Sequence, residues 1–176
     1  MHILLPPSET KRSGGGSIFV ASSLAHGDAL DETRNLVREA LIELSRNEEL
    51  AAKALKLGVK NRGELRHNLS LESSGASPAI ERYTGVLYDA LDALTLDPGA
   101  RAWLTEHVSV QSALFGLLRS SDEIPAYRLS GSSRLPGLSA TLKRVWAGAH
   151  GSIDWDQFGG VLDLRSTDYV ALAPVP

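Results

Sequence analysis

The chain has 176 residues, 43% of them hydrophobic and 22% charged, with a net charge of −3 and no cysteine. A chain this long buries roughly 70% of its unfolded surface, so it can build one core without staples, and the missing thiols exclude zinc ribbons, iron–sulfur clusters and cysteine catalysis. No apolar run approaches the ~20 residues of a membrane-spanning helix, and the start has no basic segment or long apolar stretch of a secretory signal, so a single cytoplasmic domain with no membrane partner is expected.

His2-Ile-Leu-Leu5, stopped by Pro6-Pro7, has the pattern of a buried strand. Ser8 to Ser17 carries Gly14-Gly-Gly and reads as a flexible loop. Asp31 caps an amphipathic helix to Asn47, with Leu36, Val37, Ala40, Leu41 and Leu44 on one stripe. Asn47 starts a shorter helix that Gly58 ends in the left-handed conformation, and Asn61-Arg-Gly-Glu64 has the spacing of a capping box for a third. Leu69 to Pro78 is Ser/Gly-rich and reads as a linker; Ile80 to Tyr83 reads as extended, and Val86 to Leu94 as a helix. Asp97-Pro98 opens a helix to Glu106. Val108 to Val110 alternates as a strand, Leu114 to Leu118 follows as a turn of helix, and Ile124 to Leu129 is a strand. Ser139 to Ala147 is a helix and Val161 to Leu164 a buried strand. The fold class is therefore α/β with mixed α+β character, short strands and interspersed helices around one core. We expect residues 1–176 to form one domain.

Charge is unevenly spread. Asp28 to Glu49 holds seven acidic residues against Arg34, Arg38 and Arg46, whereas Lys53, Lys56, Lys60, Arg62 and Arg66 face only Glu64. A basic block in an acidic chain fits local contact with a polyanion, and equally a solvated face. The five histidines show no ligand spacing, so no metal site is expected, and no nucleotide or cofactor motif is present, so no cofactor is expected. Three polar segments sit at strand ends: Pro7-Ser-Glu-Thr-Lys11, Phe115 to Arg128, and Asp163-Leu-Arg-Ser-Thr-Asp-Tyr169. Clusters of this kind often build sites on rigid scaffolds. Ser8, Lys11, Arg119, Tyr127, Arg128 and Ser166 could line one concave pocket for a carboxylate or phosphate, with Lys11 or Tyr127 carrying a proton.

These segments resemble the YaaA family, the peroxide stress proteins. The resemblance lies in Leu4-Leu-Pro-Pro-Ser-Glu-Thr-Lys11, Arg82-Tyr-Thr-Gly-Val-Leu-Tyr-Asp-Ala-Leu91, Ser112-Ala-Leu-Phe-Gly-Leu-Leu-Arg119, Ile124-Pro-Ala-Tyr-Arg-Leu129 and Leu164-Arg-Ser-Thr-Asp-Tyr169, in collinear order. Two motifs depart from the family pattern: Tyr83-Thr-Gly85 stands for Phe-Lys-Gly, and Arg119-Ser-Ser-Asp122 for Arg-Pro-Leu-Asp. The resemblance also implies that a C-terminal portion of the family is missing here. It implies limitation of oxidative damage from iron and peroxide, and non-specific, salt-sensitive binding of double-stranded DNA through a helix–hairpin–helix-like element. Residues 47–71 are the counterpart of that element, with Gly58, Lys60, Arg62 and Arg66 contacting phosphates through backbone amides and charge. The alternative is an enzyme acting on a small anionic substrate in the Lys/Arg/Tyr-lined pocket. A DNA binder spreads its basic residues along a groove, an enzyme converges them in one pocket.

Overall fold

The computed structural model describes residues 1–176. The opening apolar run is strand β1 (His2–Leu5), and the glycine-rich loop leads into a two-residue strand β2 (Ser17–Ile18). Helix α1 (Gly27–Ser45) turns Leu30, Val37 and Leu41 inward; α2 (Glu48–Ala54) and α3 (Leu65–Leu69) follow, joined through a 3-10 turn at Val59–Glu64. Then come β3 (Gly75–Pro78), α4 (Ala79–Arg82), α5 (Val86–Leu91) and α6 (Pro98–His107). The last third holds β4 (Val108–Ser112), β5 (Gly116–Arg119), β6 (Glu123–Ile124), α7 (Leu142–His150), β7 (Val161–Asp163) and α8 (Thr167–Leu172). No helix is long and apolar enough to cross a membrane.

The main sheet has the order β5-β4-β1-β7. Its centre is parallel, with Ile3 opposite Val108 and His2 opposite Val161, and β5 folds back antiparallel on β4. Strand β1 at the sheet's centre reads as a continuous apolar run, whereas β4 is buried at all five positions yet alternates, its inward Ser109 and Gln111 hydrogen-bonded to His2 and His150. A second sheet, β2-β3-β6, is antiparallel. The chain thus forms an α/β fold with one continuous core. Trp146 of α7 lies at its centre, wholly buried, donating its indole N–H to the Ala113 carbonyl at 2.9 Å.

Several local expectations give way to tertiary bonding. Residues 114–118 form a tight turn leading into strand β5, not a turn of helix, because Ser112 Oγ accepts the amides of Leu114 and Phe115 and Gly116 takes a φ of +70°, reversing the chain. Ala79–Arg82 is helical rather than extended, its leading amides from Ala79 and Ile80 donating to the carbonyls of Asp122 and Ser120. Of the expected strand 124–129 only Ile124 pairs, together with Glu123 before it: Pro125 has no N–H for a ladder, and the Arg128 amide donates to Asn68 Oδ1 at 2.7 Å. The presumed linker contains β3. Asn47 and Asp97 do cap α2 and α6, accepting from the Leu50 and Ala100 amides.

Candidate functional site

The carboxyl end of β1 releases the chain through Pro6-Pro7 into a tight turn that carries Lys11 inward. Residues 10–12 pair antiparallel with residues 82–84: Thr84 N donates to Thr10 O, Arg12 N to Arg82 O, and Lys11 lies opposite Tyr83. The Lys11 ammonium folds back to donate to the carbonyls of Ser8 (3.0 Å) and Glu9 (3.3 Å). It stands 4.2 Å from the Tyr127 ring centroid and 5.3 Å from that of Tyr83, within cation–π reach of both. Burial here pulls the ammonium down to about 7, an effect that Glu9 opposes and Arg128 reinforces.

Beneath the lysine the Tyr127 hydroxyl bonds both Tyr83 and Ser112, each at 2.8 Å. Tyr88 packs on Tyr83 and donates to the Pro6 carbonyl at 2.6 Å, holding the start of the Ser8–Lys11 turn. Burial pushes the Tyr83 phenol up to about 12 and Tyr127 well above its ordinary value.

Arg128 lies on the other side of the chain from Tyr127, toward the site's rim. Its guanidinium meets Glu9 at 3.2 Å and Glu64 at 3.4 Å. Glu64 closes the 3-10 turn between α2 and α3, so the turn carrying Lys60 and Arg62 adjoins the Lys11 turn through this one arginine. Burial and the cations Arg66, Arg82 and Lys11 lower His67, against the raising effect of Glu64. The turn itself differs from expectation. Gly58 is extended, at φ −67°, and Lys56 is the left-handed residue, at φ +55°. Asn61 lies inside the 3-10 segment instead of capping a helix. Arg62 is bound by Glu48 and Glu49 of α2, whereas Lys60 and Arg66 are exposed and outside any ion pair.

The structure therefore brings Ser8, Lys11, Tyr127 and Arg128 together. Ser166 follows β7, which runs parallel to β1, and so lies at the same end of the sheet, at the start of α8. That helix contributes Tyr169, whose titration is influenced by Glu9 and Arg128. Arg119 is not part of this group. The β4–β5 hairpin sets it opposite Ser109, at the end of the sheet where β1 begins, so Lys11, Arg119 and Ser166 do not share one concave surface. Sequence reasoning missed Tyr83, Ser112, Glu9 and Glu64 as members of the site. Tyr83 and Ser112 lay inside quoted segments, but the antiparallel pairing that brings Tyr83 over Tyr127 leaves no local pattern. No cluster of three or more His, Asp or Glu side chains is placed to hold a metal ion.

Comparison with known proteins gives a consistent picture. A family model described as "Peroxide stress protein YaaA" matches residues 1–175. The chain is similar to a UPF0246 protein of Corynebacterium efficiens, at 41% identity over 100% of the chain and 71% of that relative. It is 40% identical to a UPF0246 protein of Streptomyces coelicolor, over 97% of the chain and 66% of the relative. An uncharacterized protein of Campylobacter jejuni is 28% identical over 77% of the chain and 55% of its own length.

Proposed function

The chain belongs to the family of the peroxide stress protein YaaA, and on that footing we propose that it acts in peroxide stress by binding duplex DNA without sequence preference, limiting oxidative damage to it. The observation that carries this reading is the Arg128 contact to both Glu9 and Glu64. It makes the basic turn after α2 and the Lys11 turn neighbours on one surface, a spread arrangement suited to following a phosphate backbone. Contacts of this kind position the duplex and do not read bases. Affinity should fall in the roughly 10⁻⁴–10⁻⁶ M range at physiological salt and weaken steeply as salt rises.

The paired state of Arg62 refines which residues matter. A guanidinium held by two carboxylates releases little counterion on meeting a phosphate, so Lys60 and Arg66 should carry the turn's contribution. Changing both to alanine is expected to reduce the slope of log affinity against log salt by about 0.9 for each phosphate no longer neutralised, while Arg62→Ala changes it little. Fluorescence anisotropy with two unrelated duplexes measures this; an unchanged slope in the double variant would remove the turn from the interface.

A second reading, an enzyme acting on a small carboxylate or phosphate, is favoured by Lys11 alone. An amine lowered to about 7 by burial is largely neutral just above that pH, and so available as a base or nucleophile beside Tyr127. Substrate would have to displace Glu9 or Glu64 from Arg128. Competitive acylation followed by mass spectrometry is expected to show Lys11 half-reactive near pH 7, with exposed lysines still gaining reactivity toward pH 10. Parallel profiles for Lys11 and Lys60 would dismiss the enzyme reading.

A further inference from the structure

At the end of the main sheet opposite Lys11, a cavity of about 490 Å³ opens between the start of β1, the end of β5 and the end of α6. We propose that this cavity binds a small molecule carrying a phosphoryl group, held by the Arg119 guanidinium with the imidazoles of His26 and His107 as further donors. The assignment is independent of the DNA reading, which involves the other end of the sheet.

Three observations support it. First, the Arg119 guanidinium has no hydrogen bond or ion pair within the chain, although it lines the cavity. Asp122, three residues on, lies within its electrostatic reach but forms no ion pair with it; its Oδ2 accepts the amides of Ala25 and Arg119, each at 3.0 Å. Second, His26 and His107 line the same cavity, and neither imidazole has a hydrogen-bond partner. By contrast His2 is hydrogen-bonded, its Nε2 meeting Ser109 Oγ at 2.9 Å, whereas the His26 and His107 rings meet only aromatic neighbours, Phe158 at 5.9 Å and Trp103 at 4.7 Å. His26 also sits at φ +61°, a conformation disfavoured for a residue with a Cβ, and precedes the first residue of α1.

Third, the electrostatics lack an anion. His26 is lowered to about 4 by burial and by Arg34, Arg119 and His2, and no carboxylate offsets them. Arg34 is itself paired with Asp31. His2 is lowered by burial and by His107, and Glu106 is the single acidic residue in the cavity lining. Each imidazole can present a ring N–H, and the guanidinium presents a planar fork. Donors from three separate elements suit the three terminal oxygens of a phosphoryl group better than the two of a carboxylate. The bound anion would favour the charged form of His26, so binding tightens as pH falls.

The test is a titration of the intact chain with inorganic phosphate, followed by the ring ¹⁵N–¹H resonances of the histidines. The expected result is a saturable shift at His26 and His107, and a His26 midpoint raised by about one pH unit or more in saturating phosphate. Arg119→Gln, at an exposed strand end, should retain the fold and weaken phosphate at least about tenfold. Absence of a saturable shift, an undiminished response in Arg119→Gln, or acetate binding as tightly as phosphate would each overturn the assignment.

Discussion

Arg34→Met is expected to destabilise the chain by about 3–5 kcal/mol, the cost of breaking a buried charged network. Arg34 is 2% exposed and lies on the inner stripe of α1, where its stem packs like an apolar side chain. The guanidinium donates to the carbonyls of Phe115 (2.8 Å), Ala25 (2.7 Å) and Leu117 (3.2 Å), and to Asp31 at 2.9 Å. Methionine keeps the stem and removes every donor, stranding carbonyls at about 1–3 kcal/mol each where no other donor reaches them. The contacts join α1 to both the loop before it and the β4–β5 hairpin, so three segments loosen together. In thermal unfolding this amounts to roughly 2–4 °C per kcal/mol for a chain of this size. A loss under about 1 kcal/mol would show that the hairpin carbonyls find other donors.

Gly116→Ala should be the second severe change, for steric reasons. Gly116 holds φ +70° at the start of β5, and an added Cβ would come within 2.7 Å of Trp146 Cζ3 and 3.2 Å of Leu30 Cδ1. The left-handed backbone costs about 1–2 kcal/mol with a Cβ, and forcing atoms into a filled core about 1–3 more. Trp146 cannot swing aside without losing its bond to the Ala113 carbonyl. Gly148 in α7 supplies the contrast, since a Cβ there meets nothing within 4 Å. Gly148→Ala should therefore stabilise by up to about 1 kcal/mol through helix propensity. Chemical denaturation of both variants checks the pair; equal effects would contradict the packing described around Trp146.

Gly116 also explains where sequence reading went astray. Ala113 to Leu118 is apolar without period, so it fits a buried strand or a helix segment equally well. Reading it as helix hid the hairpin, and with it the reversal that carries Arg119 to the far end of the sheet. Lys11 and Ser166 follow the parallel neighbours β1 and β7 and so emerge at one end of the sheet, away from Arg119. Strand β1 was legible as a short apolar run stopped by prolines and β4 by its alternation, whereas β7 is a strand as expected but exposed at Leu162 and Asp163 rather than buried. Arg62 looked like a free charge because its partners, Glu48 and Glu49, lie thirteen and more residues back, across a turn whose path no local pattern gives. Lys56 took the left-handed position expected of Gly58, two residues earlier than glycine preference suggests.

The three hydroxyls under Lys11 have an order that their distances alone do not state. Ser112 Oγ accepts two backbone amides, from Leu114 and Phe115, which fills both of its lone pairs. Its own hydrogen must then be given to Tyr127, and the Tyr127 hydrogen is left for Tyr83. The string is polar, a one-way street anchored by the peptide backbone at its serine end. Tyr83 stands at the outlet with the only hydrogen not spoken for within the string. It is accordingly the more acidic phenol of the two: receiving a bond from Tyr127 partly offsets the burial that pushes it up to about 12, whereas Tyr127 is held well above its ordinary value. A proton leaving this buried relay would exit at Tyr83, against the face where Lys11 lies.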